Sequence, residues 1–294
     1  MVHLLRKVAQ TKKMLNRVFT GIILASFFLL LLVYGSGPIL ASLFSLIAIY
    51  AYYEWLIICK SSNKDIFILI TLLLTTMIAF LLLYTHAVII FLVYISIFAW
   101  LIILFDLLLT LNVYKKILQV GSKFIGLIFI FITWALFISL GETGNSNIFS
   151  HNYLLFSNHE SVYMSQYYLF LIGLVSLTDI SGYFVGKIFG KKKLCPIISP
   201  NKTLEGFIAS LLIPMVTFYI FFTYIIPVPI FILDVFYLLL ICIFCTVGDL
   251  FVSVYKRYHQ VKDSGNILPG HGGIMDRLDS YLPTIAILHI WLFI

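Results

Sequence analysis

The sequence predicts an all-α, polytopic transmembrane helix bundle of nine spans with its N-terminus in the cytoplasm. Two observations predict it. Of the 294 residues, 62% are hydrophobic and 11% charged, and apolar runs long enough to cross a bilayer recur from Val18 to the C-terminus. All 19 Lys and Arg residues fall on alternate connections between those runs. In hydrocarbon only a helix satisfies its own backbone within one segment, so each run is read as a helix.

The runs, in order, are Val18–Tyr34, Leu40–Cys59, Ile66–Tyr84, Ala87–Leu111, Phe124–Leu140, Tyr167–Phe184, Gly206–Ile226, Ile230–Val254 and Leu278–Ile294. The first follows Arg6, Lys7, Lys12, Lys13 and Arg17, as a secretory signal would, but it is longer than a typical signal core and further spans follow. It is read as an uncleaved anchor. With the N-terminus cytoplasmic, the successive cytoplasmic segments carry 5, 2, 3, 5 and 4 basic residues, and the external ones, including Gly141–Gln166, carry none. The positive-inside rule predicts that bias, and one missed span would scramble it. The net charge of +7 thus reflects topology and anionic lipid, with no nucleic acid among the partners. Cys59, Cys195, Cys242 and Cys245 offer neither zinc spacing nor a disulfide framework; the 242/245 pair reads as small packing residues. The chain is one transmembrane domain, 1–294. Residues 1–170 form five spans and an external loop, and residues 171–294 a catalytic half with two cytoplasmic loops.

Chemistry is expected where acids sit despite hydropathy. Asp179, Glu205, Asp249, Asp263, Asp276 and Asp279 all lie in the C-terminal half, on its cytoplasmic side. Asp179 precedes the cytoplasmic end of span six by about one turn, and Asp249 occupies the corresponding place in span eight, so the two can meet at one depth. Gly182, Gly186 and Gly190 follow at four-residue spacing, either as a close-packing face or as part of a site. In Ser199-Pro200-Asn201-Lys202-Thr203-Leu204-Glu205-Gly206, Pro200 stops any preceding helix and Ser199 or Asn201 can cap the next. Lys202 and Thr203 then lie at a helix N-terminus suited to phosphate. Asp276 and Asp279 share a helix face beside Lys256, Arg257, Lys262 and Arg277. Acids that hold a divalent ion among bases that neutralise phosphate suit phosphoryl chemistry, and oxygen ligands favour Mg²⁺ over zinc. The glycines of Pro269-Gly270-His271-Gly272-Gly273 admit close backbone approach. Neither a P-loop nor a dinucleotide fingerprint occurs.

These residues resemble a known signature. Ser253-x-x-Lys256-Arg257-x4-Lys262-Asp263-x-Gly265-x2-Leu268-Pro269-x-His271-Gly272-Gly273-x-x-Asp276-Arg277-x-Asp279 is similar to that of the phosphatidate cytidylyltransferase, or CDP-diacylglycerol synthase, family. The similarity extends to Asp179–Gly206 and to Glu54 in Ala51-Tyr52-Tyr53-Glu54-Trp55. It implies a bacterial inner-membrane enzyme, a homodimer with a cytoplasmic active site, that joins CTP and phosphatidic acid into CDP-diacylglycerol and pyrophosphate with Mg²⁺ and room for a second, monovalent ion such as K⁺. By that resemblance Lys202, Lys262, Asp263, His271, Asp276, Arg277 and Asp279 are catalytic. Asp179, Ser199, Lys202, Thr203, Ser253, Lys256, Arg257, Gly272 and Gly273 bind substrate, and Asp249, Asp263, Asp276 and Asp279 hold metal.

The family pattern Gly-Asp-Leu-x-Glu-Ser reads Gly248-Asp249-Leu250-Phe251-Val252-Ser253 here, so valine stands in place of an acid, and Tyr255 replaces a residue that is usually aliphatic or Phe. Either the valine leaves the metal site short of charge, or it faces lipid or a neighbouring helix. Two further readings compete: an enzyme of this fold acting on another lipid phosphate, or a diverged paralogue; and an ion-coupled transporter, with Asp106 and Asp179 on the ion path. A transporter is expected to show repeated halves, whereas the acids here crowd one half.

The topology is testable by labelling from each side of the membrane. A cysteine at Ser150 should react only from outside and one at Lys192 only from the cytoplasm; the reverse at either position overturns the arrangement.

Overall fold

The computed structural model describes residues 26, 29–32, 34–35, 37–109, 112–142, 160–196, 198–225, 230–265, 267 and 272–293. Most of the first expected span, most of the external loop and His271 lie outside the described residues. The helices are α1 (Gly37–Ile58), α2 (Asn63–Leu82), α3 (His86–Leu109), α4 (Asn112–Glu142), α5 (Glu160–Phe189), α6 (Leu204–Ile220), α7 (Ile232–Tyr258), α8 (Met275–Leu278) and α9 (Tyr281–Phe293). Among the described residues α1 to α7 supply seven helices long and apolar enough to cross a membrane, α6 with the π-helical turn Phe221–Ile225 included. The all-α membrane bundle holds.

Local chemistry sets the boundaries. Ser62 caps α2 by accepting the Asp65 N–H at 3.2 Å, and Lys123 reaches that turn from α4 through a 2.8 Å ion pair with Asp65. At the start of α7 the Asp234 carboxylate accepts the Phe231 N–H at 2.8 Å and the indole N–H of Trp291 at 2.8 Å, which ties that end of α7 to α9. Exposed Phe67 and Leu82 on α2, and Phe91, Phe98 and Leu108 on α3, face the lipid.

The last helix is the centre of the bundle. Residues Leu282 to His289 of α9 are buried without interruption, packed against α7, α4 and α3, so polar Thr284 and His289 find partners inside: the Thr284 hydroxyl donates to the Ser280 carbonyl, and His289 Nε2 bonds the Ser139 hydroxyl at 2.8 Å. α1 packs on α4, and their ends are stitched to α7. Trp55 Nε1 donates to the Ser122 carbonyl at 2.8 Å, the Tyr255 hydroxyl donates to the Trp55 carbonyl at 3.2 Å, and the two rings stack with centroids 3.6 Å apart. The basic ends of these three helices therefore stand at one level, as the charge pattern requires.

Four expectations need correction. The apolar run from Leu278 is not one helix: it breaks at Asp279 and Ser280, where the Ser280 N–H turns onto the Asp279 carboxylate at 2.8 Å. Residues Lys193–Cys195 (β1) and Ser199–Thr203 (β2) pair as an antiparallel hairpin, Cys195 opposite Ser199, in a segment read as loop and cap. With Ser199 committed to the hairpin, Thr203 caps α6, its hydroxyl accepting the Gly206 N–H at 3.2 Å. Finally, α5 and α7 run on to Phe189 and Tyr258, so Asp179 and Asp249 stand farther from their helix ends than the apolar runs suggested.

The glycine spacing in α5 serves packing. A Cβ on Gly206 would meet the Gly182 carbonyl oxygen at 2.6 Å and Gly186 Cα at 3.0 Å, so α5 and α6 touch backbone to backbone. Gly206→Ala is expected to push the pair apart at a cost of about 1–3 kcal/mol, read as a lower thermal midpoint of the detergent-solubilised protein. An unchanged midpoint contradicts this packing.

Candidate active site

Where α5, the hairpin, α7 and the α8–α9 corner meet, acids and bases interleave. Lys202, at the end of β2, makes a 2.6 Å ion pair with Asp249 of α7, and its charge also reaches Asp179 and Asp279. Asp179 and Asp249 feel each other and both act on buried Asp279, so the three carboxylates occupy one neighbourhood. Ser253, one turn after Asp249, donates to it at 3.2 Å, and the Cys245 thiol donates to Asp179 at 3.6 Å. Cys245 thus does more than fill space.

Gly248 makes the corner possible. A Cβ there would meet the Asp279 carbonyl oxygen at 2.2 Å and Pro283 at 2.9 Å, so only a glycine lets α7 carry Asp249 up to Asp279.

A second pair lies beside the first. Lys256 Nζ donates to Asp276 Oδ1 at 2.6 Å, while Asp276 Oδ2 accepts the N–H groups of Ser264 at 2.9 Å and Gly273 at 3.2 Å. The Lys256 charge also reaches Asp249 and Asp279, so the two lysines share one field. Burial works to raise the Asp276 carboxyl, but Lys256 and the two N–H groups outweigh it and hold it below the usual aspartate value. The stability this contributes is fully present above 3.8 and is lost as pH falls through the depressed value. For Lys202, burial works against the charge and Asp249 more than offsets it, so the ammonium sits above its ordinary 10.5. That contribution is present below 10.5 and lost as pH rises through the raised value.

The hairpin is anchored on both sides. The Glu205 carboxylate turns back to accept the N–H groups of Lys191 at 3.0 Å and Lys192 at 3.2 Å, and the exposed Arg257 reaches from α7 to the Ile198 carbonyl at 3.4 Å. Exposed Arg277 acts on Asp179 through its charge. Thr203 is buried as the cap, and Ser199 sits half-buried in β2. Gly272 adopts φ +83°, a left-handed conformation that glycine tolerates, with the Asp276 carboxylate 2.8 Å from where a Cβ would stand.

The expected ligand set is only partly assembled. Asp249 and Asp279 come together with Asp179, Asp276 is committed to Lys256, and Asp263 and Lys262 are exposed on the loop. Among the described residues no three His, Cys, Asp or Glu side chains converge closely enough to hold a metal ion. Of the four expected ligands, Asp249 and Asp279 share a neighbourhood with Asp179, while Asp276 faces Lys256 and Asp263 is exposed. Sequence reasoning gave no site role to Glu54 or Ser264, which stand directly behind Asp276: the Ser264 hydroxyl and the Met275 N–H both donate to Glu54 at 2.9 Å.

The sequence pattern of the cytidylyltransferase family matches residues 15–294. The chain belongs to that family. Relatives named phosphatidate cytidylyltransferase include those of Bacillus subtilis, 51% identical over 120 residues, Staphylococcus haemolyticus, 44% over 135, and Staphylococcus aureus, 47% over 130. These matches cover 39%, 43% and 43% of this chain and 43%, 48% and 48% of the relatives, so the chain spans about half the length of the curated relatives it matches.

Val252 is fully buried in the apolar core, between the ring-packed Phe251 and Ser253. That burial favours a packing role over a missing ligand. Val252→Glu is expected to lower the thermal midpoint, at a cost of several kcal/mol for an unpaired buried charge or a carboxyl forced neutral. The Mg²⁺ concentration for half-maximal activity should not fall. A well-folded variant with a lower Mg²⁺ requirement restores the missing-ligand reading.

Proposed function

We propose that this protein transfers the cytidylyl group of CTP to phosphatidic acid, releasing pyrophosphate and forming CDP-diacylglycerol on the cytoplasmic side of a bacterial inner membrane. The observation that carries the reading is the pair of ion pairs, Lys202–Asp249 and Lys256–Asp276, set side by side among the carboxylates of a family member. A lipid-phosphate oxygen attacks the α-phosphorus of CTP, the bond from that phosphorus to the oxygen bridging to the β-phosphate breaks, and pyrophosphate leaves with the electron pair. Lys202, Lys256 and Arg277 supply positive charge to the phosphates, and the interleaved aspartates keep those bases extended and aimed before substrate arrives. Mg²⁺, when bound, would supply charge neutralisation across the polyphosphate, and Asp249 and Asp279 with Asp179 nearby are the acids that would have to draw together to hold it, since as they stand they form no three-ligand site. The homodimer rests on the family resemblance alone. Membership of an enzyme family supports this reading over the transporter.

The experiment is direct. Purified protein with labelled CTP, phosphatidic acid and Mg²⁺ should yield CDP-diacylglycerol, and Asp276→Asn and Asp279→Asn should each reduce turnover by about 100-fold or more while remaining folded and membrane-inserted. Near-normal turnover in both variants removes these residues from the site. Product formed only with a different lipid phosphate moves the protein to another substrate.

A further inference from the structure

Glu54 lies on α1, more than 200 residues from the signature loop in sequence, yet it is 2% exposed and buried directly under that loop. Its Oε2 accepts the Ser264 hydroxyl and the Met275 N–H, each at 2.9 Å. The chain of bonds continues outward. The Ser264 oxygen in turn accepts the Asp276 N–H at 3.3 Å, the Ser264 N–H donates to Asp276 Oδ2 at 2.9 Å, and Asp276 Oδ1 holds Lys256 at 2.6 Å. One carboxylate on a separate helix thereby reaches the Lys256–Asp276 pair through a single serine.

The loop is shaped around this carboxylate. A Cβ built on Gly265 would find its three nearest atoms all on Glu54, with Oε1 at 2.2 Å and Cδ at 2.8 Å. One built on Gly273 would meet Glu54 Oε2 at 2.3 Å and Oε1 at 2.6 Å, together with the Ser264 hydroxyl oxygen at 2.0 Å. Among the described residues Oε1 has no hydrogen-bond partner, so its contact is steric: the space that two side chains would fill is taken by the glutamate. A buried carboxylate is expensive unless it is bonded, and here its bonds go to the loop.

We propose that Glu54 is a positioning residue for the reaction proposed above: it seats Ser264, Gly265, Gly273 and Met275 on α1, fixes Asp276 through Ser264, and so sets where Asp276 presents Lys256. Gly265 and Gly273 are the complementary half of this seat. The inference rests on the proposed cytidylyl transfer for its catalytic consequence, but the seat itself is measurable without any substrate.

The test uses the full chain in lipid nanodiscs. Glu54→Ala is expected to speed amide hydrogen exchange at Ser264 and Met275 by about tenfold or more and to lower kcat by about 100-fold. Glu54→Gln keeps an acceptor of the same reach and should recover kcat to within about tenfold of wild type, whereas Glu54→Asp, one methylene short, should not. Gly265→Ala should speed exchange at the same amides in the wild type and add little in the Glu54→Ala background, because the three atoms nearest its methyl are gone. Unchanged exchange in Glu54→Ala, or strictly additive effects of Glu54→Ala and Gly265→Ala, overturns the proposal. So does loss of kcat in the Ala, Gln and Asp variants in step with their thermal midpoints, which marks a residue needed only for folding. If Glu54→Ala does not fold, Glu54→Gln and Gly265→Ala carry the same exchange comparison. Exchange that follows the expected pattern in a protein making no CDP-diacylglycerol upholds the seat and discards the reaction.

Discussion

Like charges repel, and Asp179, Asp249 and Asp279 are held within reach of one another's charge where the local dielectric is low. Lys202 is the cation that directly pairs with one of them and reaches the other two. Much of the surrounding architecture holds that lysine in place. The hairpin that carries it is clamped by Glu205 on one side and by Arg257 on the other, and the α5–α6 contact fixes the hairpin's two ends at backbone distance.

The same alternation would suit the entry of phosphates in the proposed reaction. Lys202 and Lys256 are each already paired with an acid, so neither stands as a bare cation in its partly buried place. A polyphosphate binding there would exchange one set of anionic partners for another, its desolvation cost met by bases that are already held in place.

The outline of the fold was legible in the sequence because lipid imposes a simple rule on composition. Apolar runs marked where helices run, and the acids of the C-terminal half marked where the ion pairs gather. What escaped was structure set by contact between distant residues. The hairpin from Lys193 to Thr203 pairs only a few residues in a polar stretch, too short to show an alternating pattern, and its formation moved the helix cap from Ser199 or Asn201 to Thr203. The break before α9 carried a faint local signal in Asp279-Ser280 followed by Pro283, masked by an otherwise continuous apolar run. The partnership of Glu54 with Ser264 left no local trace, since α1 shows only an acid in an apolar context and the loop shows only glycines.

The depth of the carboxylates has a consequence for the traffic of molecules. Asp249 lies nine residues before Tyr258 at the end of α7, and Asp179 ten before Phe189 at the end of α5, which recesses both by about 13–15 Å from the helix ends. In the proposed reaction a lipid phosphate would reach these carboxylates along the membrane plane with its acyl chains still immersed, avoiding the cost of about 0.8 kcal/mol for each methylene drawn into water. The water-soluble reactant would have to come in from the helix ends instead. Selection between rival lipids would then fall to lateral access and headgroup fit.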